Sequence, residues 1–145
     1  METNFEMFGY EFSDGWISIM KPIESYIEEY NKDKEDDKKI IILQAKEKFG
    51  GLRVYCNFYT DELKELIRNA EHEASITCEI CGTKENVGTT LGWLMTCCEN
   101  CIRNMSLKRK NYLYRWKPFN CDEKIKWYEF QVIDKKPNFK LENEN

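Results

Sequence analysis

Cys78-Glu79-Ile80-Cys81-Gly82 and Cys98-Glu99-Asn100-Cys101 are two C-x2-C pairs separated by sixteen residues. Two residues between cysteines let both thiolates converge on one ion, while turn amides donate to the sulfurs. Gly82 suits the left-handed residue that closes such a turn. Two such knuckles supply four thiolates for tetrahedral Zn²⁺, at about 2.3 Å per bond. The spacing predicts one structural zinc held by Cys78, Cys81, Cys98 and Cys101. Four thiolates leave no position for an activated water, which argues against catalytic zinc. A deaminase-type site is also excluded, since neither pair follows a proline. A C-x-x-C redox pair and an iron–sulfur cluster are the other readings of four cysteines. Cys97 adjoins Cys98, but only Cys98 keeps the two-residue gap to Cys101, so Cys97 reads as a packing residue or a free thiol.

Working outward, Gly88–Thr96 between the pairs reads as a short β-hairpin or strand, and Glu99–Lys110 as a helix. A knuckle, a hairpin and a cysteine pair on a helix's first turn form a treble-clef-like finger. A ribbon-like finger would put a second hairpin in place of the helix. Upstream, Leu63, Leu66, Ile67, Ala70 and Ala74 form a helical stripe behind Thr60-Asp61-Glu62, whose acids suit a helix start. His72, the single histidine, lies off that stripe among Glu71 and Glu73 and reads as exposed.

Further upstream, Ile40–Leu43 and Leu52–Tyr59 read as strands joined at Gly50-Gly51, a hairpin signal. A loop of those two glycines pairs Phe49 with Leu52, Ala45 with Cys56 and Leu43 with Phe58. Cys56 then faces the core. Asn31–Lys39 is a charged connector. Trp16, Ile19, Met20, Ile23 and Ile27 form another helical stripe, in which Pro22 would either kink the helix or shift its start to near Lys21. Residues 1–13 read as an irregular arm or short strand. The expected organisation is α+β: a helix–hairpin–helix domain over 1–76, a small antiparallel hairpin sheet with packed helices. A four-cysteine finger follows over 77–110, then an aromatic-basic strand segment over 111–137 and a flexible tail over 138–145.

The composition narrows the classes. The chain has 145 residues, 41% apolar, 14% aromatic, with a formal net charge of −4. That is enough for a real core and too apolar for disorder throughout. No apolar run suits a membrane span. The acidic start METNFEMFGYEF lacks a secretory pattern, and seven cysteines in tight pairs suit metal rather than disulfides. A cytoplasmic setting is expected. The charge is segregated: residues 1–37 carry −8, 38–59 carry +4, 60–101 carry −5 and 102–145 carry +5.

Several strings resemble a widespread group of small, uncharacterised bacterial and phage proteins. They are Asp14-Gly15-Trp16, Lys46-Glu47-Lys48-Phe49-Gly50-Gly51-Leu52-Arg53-Val54-Tyr55, and Ala70-Glu71 with Ser75. Cys78-Glu79-Ile80-Cys81-Gly82, Gly92-Trp93, and Thr96 before Cys98 and Cys101 complete the match. The resemblance spans about residues 14–102. It implies an α+β domain with a zinc finger, a phage or prophage origin and a bacterial host cytoplasm, and it carries no settled activity.

Two basic stretches are candidate binding surfaces. Lys46, Glu47, Lys48 and Arg53 surround the hairpin tip, where cations suit a phosphate or an acidic partner. Their alternative role is as gatekeeper charges on a solvated turn. Arg103, Lys108, Arg109, Lys110 and Arg115 interleave with Tyr112, Tyr114 and Trp116, a mixture that suits a nucleotide or single-stranded nucleic acid. Those aromatics alternate, so they equally suit the buried face of a strand. The expected function is a zinc-stabilised, non-enzymatic binding protein acting on a host protein, nucleotide or nucleic acid, as an inhibitor or sponge directed at host defence. One alternative is a nucleotide- or nucleic-acid-processing enzyme using Glu47 or Asp14 with Lys46, Lys48 and Arg53 as charge stabilisers. The other is a DNA-binding regulator, which a pI near 5.2 disfavours.

Overall fold

Thr3 begins the first helix of the computed structural model, which describes residues 2–121 and 127–141. Its hydroxyl accepts the Glu6 N–H at 3.0 Å, and the Glu6 carboxylate accepts the Thr3 N–H at 3.4 Å. This reciprocal cap holds α1 (Asn4–Phe8). At five residues, α1 is too short to show an apolar period, so the arm expected there is in part a helix. β1 (Tyr10–Glu11) follows. A 3₁₀ segment, Asp14–Met20, leads into α2 (Lys21–Asn31). Pro22 sits in the first turn of α2, where its missing N–H costs no helical bond. Trp16, Ile19, Met20, Ile23 and Ile27 are buried, as their spacing predicts.

β2 (Ile42–Lys48) and β3 (Gly51–Cys56) form the hairpin, and β1 joins β2 in parallel to complete a three-stranded sheet. The turn differs from the expected one. Its two residues are Phe49 and Gly50, at φ +54° and +80°, and the register pairs Lys48 with Gly51 and Ala45 with Val54. One local and one long-range bond hold this turn: the Glu47 carboxylate accepts the Gly50 N–H at 2.7 Å, and the Gly50 carbonyl accepts the Thr96 hydroxyl, also at 2.7 Å. The slip is an even number of residues, so Ala45, Leu52, Val54 and Cys56 still face the core. An irregularity between Ile42 and Gln44 then places Ile42 opposite Cys56 and leaves Leu43 exposed, so the Leu43–Phe58 pair does not form. α3 (Asp61–Ser75) starts at Thr60, whose hydroxyl accepts the Leu63 N–H at 3.1 Å. It closes the first core with Leu63, Ile67, Ala70 and Ala74, and His72 is exposed.

The second sheet is antiparallel, in the order β5-β4-β6-β7-β8. Its strands are β4 (Val87–Thr90), β5 (Thr96–Cys98), β6 (Tyr114–Pro118), β7 (Tyr128–Ile133) and β8 (Lys136–Leu141). α4 (Glu99–Lys108) covers it, and Ile102, Trp116 and Phe130 fill the core between them. β8 corrects the tail expected from residue 138: residues 138–141 are an edge strand, and 142–145 lie outside the described residues. The β7–β8 turn is Asp134-Lys135, both left-handed at φ +48° and +67°. Without a glycine it gives no hairpin signal in the sequence. The same sheet runs through both the 77–110 and 111–137 segments, so no sheet boundary falls at residue 110.

Candidate metal centre

The first cysteine pair leaves α3 and turns at once. Gly82, at φ +82°, donates its N–H to the Cys78 carbonyl at 2.9 Å, and Cys78 N–H donates to the Thr83 carbonyl at 2.8 Å. This knuckle rests on the Asp14-Gly15-Trp16 turn. Gly15 N–H donates to the Glu79 carbonyl at 2.7 Å, Trp16 Nε1–H to the Thr77 carbonyl at 2.9 Å, and Ser13 N–H to the Glu79 carboxylate at 2.9 Å. A Cβ on Gly15 would lie 2.5 Å from the Glu79 carbonyl oxygen, so only glycine allows the approach. The second pair comes from β5 and α4. Cys98 is the N-cap residue of α4, and its sulfur accepts the Cys101 N–H at 3.4 Å. Glu79 N–H donates to the Thr96 carbonyl at 3.0 Å, tying the first knuckle to β5.

These contacts gather the four sulfurs of Cys78, Cys81, Cys98 and Cys101 within 4.8 Å of one another. Cys81 and Cys98 are 3.7 Å apart, against about 3.8 Å for the edge of a tetrahedron with 2.3 Å metal–sulfur bonds. The cluster could therefore hold a metal ion. Cys78, Cys98 and Cys101 are buried, while Cys81 is exposed. Burial alone would raise the Cys78 thiol. The backbone amides around it outweigh that and hold it below the ordinary range, while burial drives Cys98 and Cys101 upward. Four thiolates this close repel one another, and a bound cation reverses that balance.

The remaining cysteines have other surroundings. Cys97 alternates with Cys98 along β5, so its side chain leaves the cluster and is fully buried. Burial pushes its thiol up to about 12, and its carbonyl accepts Trp116 Nε1–H at 2.9 Å. Cys56 is buried in the first core and pushed up to about 11. Cys121 is half-buried. Beside the cluster, burial raises the Glu79 carboxyl, Ser13 N–H opposes this, and neighbouring Glu47 adds to it.

The candidate binding residues divide. Glu47 is committed to the hairpin turn through Gly50. Lys46 and Arg53 are cross-strand partners; Lys46 Nζ lies 5.9 Å from the Tyr55 ring, and Arg53 donates to the Leu52 carbonyl at 3.0 Å. Lys48 is exposed beside Phe49. Asp14 is exposed at the head of its turn. Trp116 is a core residue, packed on Phe130 at 6.1 Å. Arg103 lies over Phe130 and Phe139, at 5.0 and 4.7 Å, and pairs with Glu99. Arg115 is half-buried in β6, and its Nε has no hydrogen-bond partner among the described residues. Lys108, Arg109 and Lys110 are exposed at the end of α4. Arg109 stacks 3.9 Å over Tyr112, which meets Tyr114 edge-on at 4.7 Å.

The two most exposed aromatics, Phe49 at 72% and Trp93 at 78%, both lie outside the candidate binding residues. The Phe-Gly-Gly and Gly-Trp-Leu strings contained them, but an aromatic in a short loop carries no periodicity to mark it as outside. Among the described residues no helix is long and apolar enough to cross a membrane. No protein-family profile, curated protein or solved structure matches the chain.

Proposed function

We propose that the chain is a zinc-stabilised, non-enzymatic binding protein. The observation that carries this is the closed cluster of four sulfurs, whose donor set and spacing suit one structural Zn²⁺. A knuckle, a hairpin and a cysteine pair on the first turn of α4 support a treble-clef type of finger over a ribbon. Four thiolates complete a tetrahedron, so the metal supplies folding free energy and no activated water.

The partner is read as a phosphate-bearing ligand or acidic surface: a nucleotide, a nucleic acid or a host protein. Lys46, Lys48 and Arg53, with Lys108, Arg109 and Lys110, form no ion pair among the described residues and remain available to an anion. The role of Glu47 as acceptor for Gly50 N–H weighs against an enzyme built on that carboxylate. The first turn of α4 carries two of the four sulfurs, which weighs against its serving as a recognition helix. The resemblance to phage proteins extends the proposal to an inhibitor of host defence, and a housekeeping gene neighbourhood would remove that extension.

The test is purification of the full chain from its host background, with metal analysis and native mass spectrometry. One zinc per chain and an unmodified co-purifying nucleotide, nucleic acid or host protein are expected. Turnover of that ligand, abolished by Glu47→Gln with zinc retained, would replace binding by catalysis.

A further inference from the structure

The hairpin tip and the finger meet at one edge. Gly50 packs against the backbone of Leu94 and Met95, and its carbonyl accepts the Thr96 hydroxyl. This contact brings Phe49 and Trp93 into the lining of one cleft of about 500 Å³, together with Glu47, Lys48 and Leu94. Trp93 is shared with a second cleft of about 250 Å³, which Arg109, Tyr112 and Tyr114 also line. The two basic stretches, far apart in the chain, therefore border one aromatic surface with Trp93 as its central ridge.

Both principal aromatics are anomalous as folding residues. Phe49 takes a left-handed conformation, φ +54°, that disfavours a bulky side chain, yet it remains mostly exposed. Trp93 is the more exposed of the two, in a loop that Thr90 holds by accepting the Met95 N–H at 2.9 Å and donating to the Trp93 carbonyl at 2.5 Å. Neither side chain returns much burial. Each offers a flat apolar face beside a cation that has no acidic partner among the described residues, Lys48 at one end and Arg109 at the other.

We infer that this surface binds single-stranded nucleic acid, resting on the binding-protein reading above. Unpaired bases stack on Phe49, on Trp93 and on the Arg109–Tyr112 stack, while Lys48 and Arg109 meet backbone phosphates. Lys48 in one cleft and Arg109 in the other favour a polyanion, the Glu47 carboxylate of the first cleft being engaged by the Gly50 N–H, and the aromatic lining favours bases over the side chains of an acidic peptide. Two clefts joined by one ridge suit successive bases better than a lone nucleotide. Duplex DNA hides its base faces, so it would gain only the phosphate contacts.

The experiment is fluorescence anisotropy of the full, zinc-loaded chain with a labelled single-stranded oligonucleotide, a duplex of the same sequence and a mononucleotide. Binding of the single strand is expected to exceed both others by about tenfold or more and to weaken as salt rises. Trp93→Ala is expected to lower affinity roughly tenfold, and Phe49→Asn by a similar factor. Phe49→Asn also provides the folding control, since asparagine tolerates the left-handed turn and its thermal midpoint should not fall. Equal binding of duplex and single strand, equal binding of the mononucleotide, or variants that bind like the parent would each overturn the inference. Failure with every nucleic acid, alongside stoichiometric capture of a host protein, would overturn it while leaving the binding-protein reading standing. Shortening of the bound oligonucleotide would overturn that reading instead and leave the surface assignment in place.

Discussion

Gly15 bears on the metal centre without supplying a ligand. Its lack of a side chain lets the Cys78–Glu79 backbone come within bonding distance of the Asp14–Trp16 turn. Gly15→Ala should therefore cost about 3 kcal/mol, at the upper end of overpacking losses, and weaken metal retention together with it. Thermal denaturation with a chelator competition checks both; a variant as stable as the parent would show that the two turns are not packed as described. Cys97 and Cys98 provide a second residue-scale test. Cys97→Ala should keep full metal stoichiometry and lose about 1 kcal/mol of packing. Cys98→Ala should lose the metal, and the reverse outcome would exchange their roles. The C-x2-C spacing already distinguished these two neighbours, whereas nothing in the chain around Gly15 identified its contact, because the touching residues are more than sixty positions away.

The elements divide by how they stand to the four-cysteine cluster. α2, β2, β3 and α3 enclose a core of aliphatic side chains and Trp16 that contains none of the four clustered sulfurs. β4, β5 and α4 pack around Cys78, Cys98 and Cys101 themselves. Chelation should strip hydrogen-exchange protection from β4, β5 and α4 while β2, β3 and α3 keep theirs. Uniform loss would mean that the two cores unfold as one unit. Apolar stripes made α2 and α3 legible, and the second cysteine pair marked the first turn of α4. Two of the departures lie at turns. Phe49-Gly50 displaced the glycine pair because Glu47 and Thr96 reward that register. Asp134-Lys135 hid a hairpin because left-handed residues without glycine carry no local mark.

Across the whole molecule, buried thiols set an alkaline limit. Cys56 is held neutral by burial, its pKa raised from 9.0 to about 11. A raised folded-state pKa contributes stability fully present below the unfolded value and lost as pH rises through the folded one. The unfolding free energy from denaturant titration should therefore fall between pH 9 and 11, by on the order of 2 kcal/mol from this thiol. Cys56→Val should remove that share of the slope, and an unchanged slope would show that the thiol reaches solvent. The net charge of −4 has its own consequence at this scale. An overall acidic chain discourages indiscriminate coating of nucleic acid, so productive contact depends on where the cations are exposed.

The sequence alone determined the α+β class, the four cysteines that gather, the helices with clear apolar stripes and the core placement of Cys56. These follow from local spacing, which is the same whatever the rest of the chain does. Only the tertiary structure decided the hairpin register, the docking of Gly15 beneath the first knuckle and the withdrawal of Trp116 into the core. It also decided that Phe49 and Trp93 line one cleft between the two basic stretches. Those outcomes depend on which surfaces meet across long separations, where packing and backbone hydrogen bonds between distant segments outweigh local preference.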